Sequence, residues 1–249
     1  MLQNKKIIAV IPAFNTAKTL PLTLEAIPPN TVDEIIVVND GSVDATAELA
    51  RQHGVVLVNH EVNRGYGAAQ KTGYSEALRR GADVVVMVHA DFQYDPTLVP
   101  QIIKPVVQGG ADACFGSRLF YKRDARRGGM PWWRFIANIS LTFVEDCVLH
   151  LHLSEYHTGY RAYSRRVLET IPFEKNSNNY VFDTEMIAEL ALGKFRVTEI
   201  PIPTRYTPDS QSPNFRKSVI YGFATLGVLG KFIAHRLGIK QYPQFIIKT

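Results

Sequence analysis

Three side chains able to hold a cation, His89, Asp91 and Gln93, recur at every second position in the stretch VVVMVHADFQYDP, residues 84–96. If the chain stays extended beyond the apolar run before them, side-chain alternation turns all three the same way. Such a set suits Mg2+ or Mn2+, which leave positions open for a substrate diphosphate, and the imidazole of His89 shifts the preference toward Mn2+. The competing reading is a solvated turn capped by Asp95 and Pro96. Two other stretches carry polar groups at strand ends: IPAFN, with Pro12 and Asn15, and VVNDGS, with Asp40 ahead of Gly41 and Ser42. Turn chemistry accounts for either alone, and Asp44 suits the first turn of a helix. On neighbouring strands, a carboxylate and an amide also form a clamp for the edge of a nucleobase. NRGYGAAQKTG lacks the third glycine of a dinucleotide fingerprint and is not a Walker A loop.

These residues need a frame. KIIAVIPAF, DEIIVVND, GVVLVNH, ADVVVMVHAD and ADACFGS are short Val/Ile-rich runs, and segments such as DATAELARQH and GAAQKTGYSEALRRG between them have helical pattern. A βαβ series follows, giving an α/β fold with a mainly parallel sheet covered on both faces. Ligands of such sheets bind at the carboxyl edge of the strands. The second half is less regular: a basic loop over 120–134, helices near 135–149 and 183–192, a strand in KFRVTEIPI, and an apolar helix near 219–237. One domain over 1–249 is expected, with a nucleotide-binding half to about 118 and an acceptor or sugar half after it.

The chain has 249 residues, 46% hydrophobic and 20% charged, with a formal net charge of +5. This is the profile of a globular protein with a substantial core. The mild positive charge suits phosphate-bearing ligands or an anionic membrane face, and no nucleic-acid partner is expected. Cys114 and Cys147 lack CxxC spacing and read as two buried, reduced thiols. No run reaches the roughly 18 uninterrupted apolar residues of a membrane span, so the expected location is cytoplasmic, at most membrane-peripheral.

In order, IPAFN, VVNDGSVD, NRGYGAAQKTGY, HADFQYDP, GSR and TGYRAYSR resemble the inverting glycosyltransferases of family 2, with the GT-A fold, and within them the polyprenyl-phosphate mannose and glucose synthase branch. The resemblance covers residues 6–205. It implies that Pro12, Ala13, Asn15 and Asp40 hold the nucleoside, that Asp91 and Gln93 hold a divalent cation, Mn2+ or Mg2+, and that Arg118 meets the phosphates or the acceptor. Lys71 and Ala90, inside two of these motifs, join the nucleotide-binding set. The family pattern is Asp-x-Asp, so His89 is a departure: its nitrogen replaces an oxygen ligand or stands off the metal as a hydrogen-bonding neighbour.

The second half must supply what meets the sugar. EYHTGYRAYSRR carries His157 and Arg161, YVFDTEM carries Asp183 and Glu185, and PTRYTPDSQSPNFRKS carries Arg205, Arg216 and Lys217. An inverting transfer needs a base at the acceptor hydroxyl and cations near the departing diphosphate. Asp183 or Glu185 is placed for the first role, unless Glu185 only caps its helix; Arg205, in a Pro-bounded loop, suits the second. Arg123, Arg126 and Arg127 read as a solvated face. The expected activity is metal-dependent transfer from a nucleoside-diphosphate sugar to a lipid-phosphate or other acceptor. Two alternatives keep the same donor site: a flavin-independent pyranose-to-furanose mutase, and a catalytically silent nucleotide-sugar binding protein. In SVIYGFATLGVLGKFIAHRLG, Val219, Ile220, Phe223, Leu226, Leu229, Phe232 and Ile233 make a broad apolar face. Core packing, a subunit interface and a membrane-surface helix compete for it; Gly222, Gly227 and Gly230 favour close helix contact and hence a homo-oligomer.

Overall fold

A computed structural model describes residues 4–123, 128–203 and 215–248. One seven-stranded sheet runs through it in the order β3-β2-β1-β4-β6-β5-β7. Its strands are β1 (Ile7–Ala13), β2 (Glu34–Asp40), β3 (Val56–His60), β4 (Val84–Met87), β5 (Ala113–Ser117), β6 (Arg161–Ser164) and β7 (Val197–Pro201). β6 runs antiparallel to both β4 and β5, and every other pairing is parallel. The helices are α1 (Leu20–Ala26), α2 (Thr46–Gln52), α3 (Tyr66–Arg79), α4 (Val99–Val107), α5 (Trp132–Leu149), α6 (Arg165–Thr170), α7 (Phe182–Leu192) and α8 (Phe215–Arg236).

Burial on both faces explains the unbroken apolar strands. Alternation along β1 sends Ile8 and Val10 into one core layer with Tyr74, Phe182, Met186 and Phe232. Ile7, Ala9 and Ile11 enter the opposite layer with Leu20, Leu24, Ile102, Ile103 and Val106. Helix α3 lies close on the sheet at Gly73, where any side chain would run into Val10. Connections leave β1 toward β2 on one side, whereas β4 joins β1 on the other. That reversal opens a crevice beyond the carboxyl ends of β1 and β4.

Strand β6 and helices α1, α4 and α6 had no counterpart in the sequence reading. β6 has no Val or Ile in its four residues, Arg-Ala-Tyr-Ser. Helix α4 carries Pro105 in its interior. Burying Val99, Ile102, Ile103, Val106 and Val107 on one face outweighs the hydrogen bond this proline cannot donate. The cysteines also differ from expectation: both are free, but only Cys114 is buried, and Cys147 sits on the outer side of α5.

Candidate active site

The crevice holds a cavity of about 420 Å³, a size that suits a small ligand. Its first wall is the end of β1, with Pro12, Ala13, Phe14 and Thr16. Asn15 is not part of that wall. With φ at 51°, it uses its N–H to donate to Ser42 Oγ at 2.9 Å, and its side-chain oxygen accepts from the Val43 N–H at 2.9 Å. Asp44 accepts from Ala17 N at 3.0 Å and from Thr46 N at 3.0 Å. Against the upward pull of burial, the hydrogen bonds from Thr46 and Ala17 hold its carboxyl below the usual range. Asn15, Ser42 and Asp44 therefore staple two strand-end loops together, and the side-chain oxygen of the amide expected to meet a nucleobase is engaged by the Val43 N–H. Asp40 does line the cavity. Its carboxylate accepts from His60 Nδ1 at 2.6 Å, Arg64 N at 2.9 Å and Gly65 N at 2.9 Å, which fixes the loop leading into α3.

The second wall follows β4. The strand stops at Met87, Phe92 adopts a φ of 57°, and Asp91 Oδ1 accepts from Gln93 N at 3.1 Å. Strand alternation is thus not what brings His89, Asp91 and Gln93 together: a tight turn does so, and all three, with Ala90, line the cavity. Among the described residues, no three His, Cys, Asp or Glu side chains converge on one point. This rim offers the buried carboxylate of Asp91 with the Gln93 amide and the His89 imidazole beside it. This open donor set fits a divalent cation that completes its shell with phosphate oxygens. Burial lowers the pKa of His89, keeping its ring neutral.

Asp183, at the start of α7, forms the facing wall. Its Oδ1 accepts from Gln70 Nε2 at 3.2 Å and its Oδ2 from the Tyr66 hydroxyl at 3.1 Å. Arg161, at 0% exposure, lies behind it rather than in the cavity. It donates to the carbonyls of Thr158 at 2.7 Å, Asp183 at 3.0 Å and Tyr156 at 3.1 Å, and its guanidinium covers the Phe115 ring. Arg161 therefore holds the wall in place without lining the cavity. Glu185, two residues after Asp183, falls on a different face of α7. It accepts from Ser177 N at 2.6 Å and Gln244 Nε2 at 3.3 Å, and burial raises its pKa; it lines no part of this cavity and caps no helix end of its own. Lys71 also points elsewhere, donating to the Asn176 carbonyl at 2.7 Å. Arg205, Arg126 and Arg127 lie outside the described residues.

Arg118 reaches the cavity after β5. Its guanidinium is gripped by Glu155, whose other oxygen accepts from the Arg118 backbone N–H at 2.6 Å. His157 lines the cavity with its ring 3.3 Å from the Tyr221 hydroxyl through Nδ1. Its Nε2 is 3.2 Å from Glu145 Oε2, yet neither atom has a well-directed hydrogen bond. Burial pushes the Glu145 carboxyl up to about 8. Burial, with Arg118 and Arg161 nearby, pushes His157 down to about 3. Both are neutral near pH 7, so His157 is a weak base. The outer wall is made by Trp133, Arg134, Ala137, Asn138 and Leu141 of α5 and by Ser218 and Tyr221 of α8.

Sequence reasoning missed Tyr66, Gln70, Glu145, Glu155 and Tyr221. Glu155, Tyr66 and Gln70 had a signal, since each sits inside a quoted motif, EYHTGYR for the first and NRGYGAAQKTG for the other two. Glu145 and Tyr221 had no motif of this kind, because only tertiary packing turns those helix faces toward the site.

Residues 8–172 match the sequence profile of Glycosyl transferase family 2. The chain is a family 2 glycosyltransferase. This glycosyltransferase is 31% identical over 207 residues to the polyprenol monophosphomannose synthase of Mycolicibacterium smegmatis, covering 80% of this chain and 77% of that protein. It is 30% identical over 208 residues to the undecaprenyl-phosphate mannosyltransferase of Micrococcus luteus, covering 79% and 82% respectively. Among solved structures it resembles glucosyl-3-phosphoglycerate synthase from Mycobacterium tuberculosis in complex with Mg2+ and uridine diphosphate, with a TM-score of 0.71 at 20% identity over 96% of this chain and 81% of that one. The glycosyltransferase has the GT-A, Rossmann-like fold, as the sequence motifs implied.

Proposed function

We propose that this enzyme transfers a sugar, with inversion, from a nucleoside-diphosphate sugar to a lipid-linked phosphate at a membrane surface. The observation that carries the acceptor class is the outer wall. The helices that line the cavity, α5 and α8, also carry large exposed apolar side chains: Trp132, Ile136 and Phe143 on α5, and Ile220, Phe223 and Leu226 on α8. Among the described residues, Ser218–Arg236 is the one stretch long and apolar enough to cross a bilayer, with 22% of it buried in the protein. Val228, Leu229 and Phe232 tie it to the core, so the helix is read as lying on the lipid surface, not spanning it. The named relatives act on polyprenol and undecaprenyl phosphates, which supports the same class here.

In this reading the nucleoside lies against Pro12, Ala13 and the loop fixed by Asp40. Asp91 and Gln93, with His89, hold a divalent cation, which offsets the charge of the diphosphate when bound. An acceptor phosphate oxygen forms a bond to the anomeric carbon from the side of α5. The bond from that carbon to the diphosphate breaks, and its electron pair leaves with the nucleoside diphosphate. A phosphate acceptor arrives ionised and needs no base. Asp183 then orients the sugar and offsets positive charge at the anomeric carbon, while Arg118 and Arg134 meet the phosphates.

The test incubates the purified protein with UDP- and GDP-sugars, Mn2+ and vesicles containing a polyprenyl phosphate, and identifies products by mass spectrometry. A glycosylated lipid phosphate with free nucleoside diphosphate is the expected result. An isomeric nucleotide sugar identifies the mutase, and unchanged donor overturns transfer altogether. Light scattering beside vesicle flotation separates lipid binding from self-association; a dimer that ignores vesicles assigns the apolar face to a second copy.

A further inference from the structure

His89 is where this chain departs from the paired carboxylates its motif resembles, and the hydrogen bonds around its ring determine which nitrogen is offered to a ligand. The Tyr66 oxygen sits within hydrogen-bond reach of both Asp183 Oδ2 at 3.1 Å and His89 Nε2 at 3.2 Å. A phenol has one proton to donate. Asp183 is surrounded by donors: Gln70 Nε2 at 3.2 Å and Arg161 Nη1 at 3.6 Å reach its other oxygen. An ionised carboxylate is a stronger acceptor than an imidazole, so the phenol proton goes to Asp183. His89 Nε2 must then carry hydrogen and donate to the Tyr66 oxygen. The ring is clamped in this pose. A methyl group at Gly159 would collide with Nε2 and Cε1, and Tyr94 meets the ring edge-on at 4.9 Å between centroids.

We infer that Asp183, acting through Tyr66, fixes His89 as its Nε2–H tautomer and reserves Nδ1 as a lone pair for a divalent cation. Tyr66 is thereby a positioning residue that biases this site toward Mn2+ and similar borderline ions over Mg2+. A neutral imidazole nitrogen brings no charge and is softer than the carboxylate oxygen it replaces, which favours that order. The bias comes from a residue that is no ligand, through the partner of a ligand's other nitrogen. The inference rests on the cation reading proposed above.

The tautomer is observable without metal or turnover. Long-range proton–nitrogen spectra of the 15N-histidine-labelled, metal-free protein should show His89 Nε2 as the protonated nitrogen and Nδ1 as the bare one. In Tyr66→Phe the assignment should become mixed. The affinity for Mn2+, measured by electron paramagnetic resonance with UDP or GDP present, should fall about tenfold or more, with a smaller change for Mg2+ by competition. His89→Asp should equalise the two ions. A bare Nε2 in a protein that binds Mn2+ overturns this inference alone, as does a Tyr66→Phe protein with unchanged tautomer and unchanged Mn2+ affinity. Failure of the wild type to bind Mn2+ with either nucleotide, with the tautomer as assigned, overturns the cation reading and with it the role of Nδ1.

Discussion

Replacing Arg161 with Met tests whether this arginine is architecture or chemistry. The substitution removes the donors to three carbonyls, those of Tyr156, Thr158 and Asp183, all in the fully enclosed region behind the cavity. Met has similar reach but no donor, so each carbonyl loses its charged partner. At ~1 to 1.5 kcal/mol for each abandoned group the loss comes to roughly 3 to 5 kcal/mol. The lost packing of the guanidinium over Phe115, 4.7 Å away, adds to it. For a chain of this size that corresponds to a fall of roughly 6 to 20 °C in Tm. Arg161→Lys keeps a charge but not the planar fork, and should recover only part of this. The assay is urea and thermal unfolding followed by circular dichroism, with nucleotide binding measured on the same samples below the transition. Wild-type stability in Arg161→Met together with abolished turnover would refute the reasoning, because that pattern belongs to a residue that contacts substrate.

Four further outcomes are expected. Glu145 has its folded-state pKa raised from 4.5 to about 8, so the folded protein holds a proton that the unfolded chain releases; stability should therefore decline as pH rises from about 4.5 through about 8. Glu145→Gln should flatten that decline, which denaturant midpoints across the range will show. Asp91→Ala should leave Tm within a few degrees of wild type but abolish metal-dependent nucleotide binding by calorimetry; equal affinity with and without metal contradicts the assignment. Asn15→Ala should cost about 1 to 2 kcal/mol through the lost Val43 bond and a left-handed backbone that alanine resists, whereas Asn15→Gly should cost less, since glycine tolerates the same φ; equal midpoints for the two variants would count against the staple. Phe223→Asp, at a side chain 72% exposed, should keep wild-type stability but lower flotation with anionic vesicles, and unchanged flotation counts against membrane docking.

How far the sequence carried depends on how local each cause is. Six of the seven strands announced themselves as short apolar runs, most of them rich in Val and Ile, the composition that burial of a strand on both faces favours. β6 did not, since its burial comes from being inserted between β4 and β5, and Arg161 there is stabilised by carbonyls that only the folded backbone turns toward it, those of Tyr156 and Thr158 just before it and of Asp183 beyond. The rim at His89, Asp91 and Gln93 was legible as a cluster, but its geometry was not: the extended chain that would align the three ends at Met87, and the turn at Phe92 does the work. Asn15 and Asp183 show the same limit from opposite sides. Both are polar residues at element ends, and only tertiary contacts decide that one staples loops while the other faces the cavity. Glu185 could have been separated from Asp183 by helical spacing alone.

The insertion of β6 also orders the assembly of the protein. β4 and β5 emerge earlier in the chain, yet they never touch; each is held by the strand that begins at Arg161. Until that stretch arrives, Val84–Met87 presents an unpaired apolar edge, and β5 has neither of its neighbours, since β7 comes later still. A nascent or truncated chain ending near residue 118 is thus a sheet with an open seam, prone to pairing with other copies, and the native sheet closes only through contacts between distant parts of the sequence, which predicts slow folding. Fragments cut between the two halves should aggregate, and co-expressed halves should regain solubility together, with the four residues of β6 acting as the seam's closure.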